Sequence, residues 1–192
     1  MMYQFRELLQ NGGLPYACGL MITADEEVGG YHGVRPLVQD HGYKPKLIHI
    51  PDGGKKLHVI ELSNKGYLRI HLKAYGKASH GSRPWLGENA LDKVIQAYQA
   101  VQKLFNPMDP HQWQATCSLG IMHGGSAVNQ VPDYADCYLD IRYTEKENLE
   151  EMVSEIKKVA AEYGVDATQL LSAPAFHVDK DNEYVELYKK HI

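Results

Sequence analysis

From Tyr67 to Tyr75 the chain reads YLRIHLKAY, and the spacing within that stretch decides the fold. Leu68, Ile70, Leu72 and Ala74 alternate with Tyr67, Arg69, His71, Lys73 and Tyr75. A period of two puts the first set on one side of a strand and the second on the other, as in an antiparallel sheet with one dry and one wet face. The dry side needs a cover, and the strand needs neighbours.

Both follow in the sequence. Leu91, Val94, Ile95, Tyr98, Val101, Leu104 and Phe105 recur at helical spacing between Asn89 and Phe105. A strand is expected over 115–123. Ala135, Cys137, Leu139, Ile141 and Tyr143 then alternate with Asp136, Tyr138, Asp140 and Arg142 in a second half-exposed strand. Thr144 and Glu147 have the spacing of a capping box for a helix carrying Leu149, Met152, Val153, Ile156, Val159 and Tyr163, which Gly164 ends. A last strand is expected over 167–172. The order β-α-β-β-α-β predicts a ferredoxin-like unit, four antiparallel strands with two helices on one face. Its other face is polar, so it meets solvent or a partner. Two sheet edges left unpaired need covering, which predicts a homodimer through this unit.

Upstream the rhythm differs. Residues 3–10 predict a helix, 17–23 a buried strand, 30–41 a short helix interrupted by Pro36, and 46–50 a second strand that stops at Pro51-Asp52-Gly53-Gly54. Helix, strand, helix, strand is an α/β layer with a parallel sheet. Three acids, Asp25, Glu26 and Glu27, follow the first expected strand, and Asp52 follows the second. Ligand sites of open α/β sheets gather at such strand ends. The tail from Asp179 reads as a helix. The expected division is 1–65, 66–176 and 177–192.

Composition excludes several classes of function. The 192 residues carry a net charge of −4, which gives no electrostatic footprint for nucleic acid or an anionic membrane. No apolar run reaches the roughly 20 residues of a membrane span. Cys18, Cys117 and Cys137 lie at no metal-like spacing and read as small core hydrophobes, reduced in a cytoplasm.

Chemistry concentrates in a few places. Glu26 and Glu27 are adjacent, so in extended structure their side chains diverge and can take two jobs, one holding a cation and the other acting beside it as a general base. Asp52 can bring a further carboxylate to the same cation. The plainer reading, acidic turn residues at helix N-termini, stands beside it. In Gly76-Lys77-Ala78-Ser79-His80-Gly81-Ser82, small neighbours leave the imidazole of His80 free to reach something else. His71 and His123 lie on strands and read as structural. Arg142, near the small-residue loop that ends in Asn129, can clamp a substrate carboxylate or pair with Asp140 or Glu145.

These motifs in order, TADEEVGG, PDGG, GKASHGSRPWLGENA and GGSAVNQVPDYADCYLDIRYT, resemble the M20 family of zinc metallopeptidases and aminoacylases, over about residues 3–176. The resemblance implies a partial α/β zinc-hydrolase catalytic domain with an inserted ferredoxin-like (βαββαβ) lid that dimerises. It implies cleavage of an amide bond in a small N-acyl amino acid or dipeptide, with two zinc ions, or cobalt or manganese, in the complete enzyme. Carried over by position, Glu26 is the general base for the attacking water, while Glu27 and Asp52 are metal ligands. His80 reaches the partner's active site to stabilise the oxyanion, and Asn129 and Arg142 hold the substrate carboxylate. The family's upstream His-x-Asp and bridging Asp, and its later His, have no counterpart, so the expectation is an internal fragment, inactive alone. His177-Val178-Asp179 has the His-x-Asp spacing at the wrong end of the chain and reads as chance. The alternative is a non-catalytic dimerisation module derived from such a lid.

Overall fold

A computed structural model describes residues 2–12, 17–50 and 59–190. The chain divides into two compact units, Met1–Gly53 and Gly54–Ile192.

The first unit holds helix α1 (Met2–Gln10), a 3-10 turn (Glu26–Val28) and helix α2 (Val34–Gln39). Pro36 sits in the first turn of α2, where its missing N–H leaves no helical bond unmade. Gly42 takes a left-handed φ of 70° just beyond that helix. The strands expected over 17–23 and 46–50 do not form: no ladder pairs those residues among the described ones. A strand is stable only when a neighbour satisfies its backbone groups, and a run of apolar residues cannot supply that neighbour by itself. Ile22, Ile48 and Ile50 are consequently exposed.

The second unit contains β1 (Ser63–Asn64), β2 (Gly66–Tyr75), β3 (Ser79–His80), α3 (Ala90–Lys103), β4 (Thr116–Gly124), β5 (Gln130–Val131), β6 (Tyr134–Tyr143), α4 (Leu149–Ala161), β7 (Val165–Ala173), β8 (Phe176–His177) and α5 (Glu183–Lys189). Strands β4-β6-β2-β7 form one antiparallel sheet in that order. With α3 and α4 this is the expected ferredoxin-like unit. The alternation of β2 does what its spacing requires. Leu68, Ile70, Leu72 and Ala74 are fully buried with Leu139 and Ile141 of β6, under Val94, Ala97 and Val101 of α3 and Ile156 and Ala160 of α4. Burying a Leu or Ile side chain contributes about 1.5–3 kcal/mol, so this layer supplies most of the unit's hydrophobic stability.

β1 and β8 pair next to the sheet, with Ser63↔His177 in register and a 2.7 Å contact between Ser63 Oγ and His177 Nδ1. The two ends of the ferredoxin unit are thus held side by side, the geometry that lets a domain be inserted into another. His177 is engaged in that closure.

Two local details differ from the sequence reading. Glu147 accepts from both the backbone N–H and the hydroxyl of Thr144, but the cap of α4 is Asn148, whose side chain accepts from Glu150 N and Glu151 N. The Thr144–Glu147 pair closes the turn before the helix rather than the helix end itself. Asn148→Ala is expected to cost about 1 kcal/mol, read from urea unfolding; an unchanged midpoint would mean that the turn alone sets the helix start. Cys117 and Cys137 are buried in the core as expected, and burial pushes both thiols up to about 12. Cys18, by contrast, is exposed, because the strand meant to bury it has no sheet to join.

Candidate functional site

The three acids of the first unit take different roles. Asp25 is spent on local structure: its Oδ2 accepts from the backbone N–H of His32 at 2.8 Å and of Gly33 at 3.0 Å, tying the loop ahead of α2. Its Oδ1 is buried and packs against Gly33, where an added Cβ would lie only 2.0 Å away. Glu26 and Glu27 begin the 3-10 turn and are both exposed. Successive residues of such a turn point in different directions, so the divergence expected of an extended segment is reached by another geometry. Neither carboxylate has a hydrogen bond or ion pair with the described residues. Carboxylate oxygens are a donor type that a divalent cation takes, so these two match the metal that the resemblance implies in chemistry but not in number. Asp52 lies outside the described residues. No group of three or more His, Cys, Asp or Glu that could hold a metal occurs among the described residues.

In the second unit, two loops at one end of the sheet are laced together. β3 pairs β5 antiparallel with His80↔Gln130 in register, and Gly81 N donates to Asn129 O at 2.7 Å. Lys77 and Glu88 exchange backbone hydrogen bonds, and Gly76 N donates to Asp133 O. Gly76 has to be glycine, since a Cβ there would meet the carbonyl oxygen of Glu88 at 2.0 Å. His80 and Asn129, 49 positions apart in sequence, are thereby neighbours.

The protonation pattern of His80 is set locally. The backbone N–H of Ser82 donates to its Nδ1 at 3.2 Å, and the Ser82 hydroxyl lies 2.8 Å from the same atom. An Nδ1 that accepts carries no proton, so the neutral ring holds its proton on Nε2 and presents a donor there. The ring is oriented by Ser82 at Nδ1, and its Nε2 has no hydrogen-bond partner among the described residues.

Arg142 lies elsewhere. It pairs with Tyr67 and Thr116 at the end of the sheet remote from these loops. Tyr134 and Arg142 lie about 26 Å apart along β6, at a strand rise of ~3.3 Å per residue. Its Nε donates to Asp140 Oδ1 at 2.7 Å and Nη2 to Oδ2 at 3.1 Å, a bidentate pair on a half-exposed surface. Within one chain, therefore, His80 and Asn129 come together and Arg142 does not join them.

The polar face also holds a cluster that sequence reasoning did not assemble. Asp136 is buried and accepts from Tyr134 OH at 3.2 Å, with His71 Nε2 at 2.8 Å from Oδ2 and His123 Nδ1 at 2.9 Å from Oδ1. His71 stacks on Tyr138 at 4.1 Å. Burial by itself would raise the Asp136 carboxyl, but the hydrogen bonds from His71, His123 and Tyr134 outweigh it, and the group lies below the usual carboxylate range. Both histidines are engaged with this one acid. Their shared acid is 65 positions beyond His71, so only the register reveals it.

The β4-β6-β2-β7 sheet with α3 and α4 packed on its apolar face is a ferredoxin-like α+β unit. The sequence pattern of the M20 peptidase dimerisation domain matches residues 62–168, more than half of the chain, and the chain belongs to that hydrolase family. It is 31% identical over 153 residues to a probable carboxypeptidase of Emericella nidulans, covering 70% of this chain and 35% of that protein. Against a probable carboxypeptidase of Aspergillus clavatus it is 29% identical over 133 residues, covering 65% and 31%. The chain thus spans about a third of the length of the curated relatives it matches. Among solved structures, the aminopeptidase PepT from Bacillus cereus superposes with a TM-score of 0.56 at 21% identity, over 71% of this chain and 37% of that one. A tripeptidase from Staphylococcus aureus gives 0.53 at 22%, over 67% and 35%. These two likenesses show the fold. No described helix is long and apolar enough to cross a membrane.

Proposed function

We propose that the protein belongs to a metal-dependent amide hydrolase acting on small N-acyl amino acids or peptides with a free carboxylate. Residues 66–176 form its lid, 1–65 part of its catalytic domain and 177–192 the return segment. The observation that supports this most is the laced loop pair, which sets His80 beside Asn129 with Nε2–H available as a donor. Cysteines without disulfides suit a cytoplasmic protein.

Each residue has a definable task. Glu27 and Asp52 hold the metal, zinc or alternatively cobalt or manganese. When bound, the metal polarises the amide carbonyl and lowers the pKa of water. Glu26 takes the proton of the attacking water and returns it to the leaving amine, which an unpartnered carboxylate is free to do. The Nε2–H of His80 donates to the oxyanion as it forms. Asn129 and Arg142 hold the substrate carboxylate, and Asp140 keeps the Arg142 fork in place.

The separation of Arg142 from His80 supports a dimer in this reading. One substrate meets His80 and Asn129 of one protomer together with Arg142 of the other. Of the two free sheet edges, β4 is the one that allows it. Antiparallel pairing of two β4 strands about a two-fold axis sets the Asn129 loop of one chain about 10 Å, two strand spacings, from the Arg142 strand of the next. Pairing through β7 would leave about 29 Å, at six spacings.

Hydrolysis is the test. The chain alone with zinc is expected to give no measurable turnover of N-acetyl amino acids, since Glu27 and Asp52 fall short of the three protein ligands usual for catalytic zinc. Joined to a polypeptide carrying the family's histidine ligands, it is expected to hydrolyse them and to lose that activity on chelation. Turnover by the chain alone overturns the ligand assignment. An inert complete assembly leaves the non-catalytic dimerisation module.

A further inference from the structure

On the polar face of the sheet, the cross-strand partner of Arg69 is Asp140. Opposite charges facing each other on neighbouring strands ordinarily pair. Here they do not: Asp140 is held by the bidentate fork of Arg142 instead. Of the other acids of this face, Asp136 is engaged by His71, His123 and Tyr134, and Asp166 lies in register with Lys73 rather than with Arg69. Arg69 is exposed and has no carboxylate partner among the described residues. It is nevertheless held in place: its guanidinium carbon lies 6.0 Å from the centroid of the Tyr67 ring, and that of Arg142 lies 5.7 Å from the same ring. Two guanidinium groups thus share one aromatic ring while the carboxylate pairs with only one of them, which leaves the fork of Arg69 without an acidic acceptor among the described residues.

We propose that Arg69 is a specificity-determining residue that binds a second substrate carboxylate, so that the lid face selects N-acyl or peptidyl substrates ending in an acidic amino acid. The proposal rests on the reading of Arg142 as the holder of the α-carboxylate. One fork grips one carboxylate in two parallel hydrogen bonds, so two forks on one ring fit an amino dicarboxylate. Arg142 retains the donors that Asp140 does not use, and these meet the α-carboxylate. Arg69 meets the side-chain carboxylate.

The test is binding to the full chain, followed by nuclear magnetic resonance titration with N-acetylglutamate and with N-acetylglutamine, which differs only in lacking the second charge. N-acetylglutamate is expected to bind about tenfold more tightly, the worth of one charged hydrogen-bonded contact. Arg69→Gln is expected to abolish that preference and leave N-acetylglutamine affinity unchanged. Arg142→Gln weakens both ligands. Both side chains are exposed, so an unchanged circular dichroism melt serves as the folding control. Equal affinity for the two ligands, no binding of either, or a preference that survives Arg69→Gln overturns the proposal. Neither arm needs turnover, so a chain that prefers the dicarboxylate without hydrolysing anything in the complete assembly fails the hydrolase reading and keeps this one.

Discussion

An equimolar mixture of Glu26→Gln and His80→Ala chains, each in the complete enzyme, is expected to recover about a quarter of wild-type activity. Each variant alone should be slower by about 10²–10⁴-fold, the contribution of a general base or an oxyanion donor. The argument is one of counting sites. If His80 serves the active site of the partner subunit, a mixed dimer has one site that combines an intact Glu26 with an intact His80. Its other site carries both lesions. Random exchange makes half of the dimers mixed, so a quarter of all sites are whole. If His80 instead serves its own chain, every site in a mixed dimer carries one lesion and mixing restores nothing. The measurement is steady-state hydrolysis after subunit exchange, and failure to rise above the two parents would remove the shared-site arrangement.

The reason to expect sharing lies in the register rather than in any motif. The alternation in Tyr67–Tyr75 and in 135–143 was legible because a half-exposed antiparallel strand writes its two faces directly into the sequence. The helices over α3 and α4 were legible for the same reason at a period of 3.6. Which strand lies beside which is a long-range fact, so the pairing of Arg69 with Asp140 or of His71 with Asp136 carries no local signal. The apolar runs at 17–23 and 46–50 misled because a strand is a relation between segments. Asn148 was missed as a cap because Thr144 and Glu147 satisfy each other four residues too early. The setting of His80 could have been found, since Ser82 is only two positions away and small residues in that loop let it turn back. That Arg69 has no acid partner among the described residues could not, because it depends on where the fork of Arg142 goes.

Asp136→Ala is expected to destabilise the second unit by about 2–4 kcal/mol, the largest loss for any polar residue on the sheet's outer face. Removing the acid leaves the buried imidazole of His71 without the partner that lies 2.8 Å away, and frees His123 and Tyr134 as well. Three strands lose a common tie, since His71 is on β2, Asp136 on β6 and His123 on the edge strand β4. Asp136→Asn keeps one acceptor oxygen and is expected to cost less. The pH dependence separates charge from shape. The carboxyl titrates lower in the folded chain than its unfolded value of ~3.9, so the unfolded state binds the proton first. Its stabilising contribution is therefore complete above that pH and is lost as pH falls below it toward the folded value. The titratable and charged groups facing it are His71, His123, Tyr134 and, across the strand, Lys73. Urea midpoints of wild type and Asp136→Asn should lie apart at pH 7 and converge below about pH 4. A gap that stays constant across that range would mean that the network stabilises by packing alone, with no share from the ionised acid.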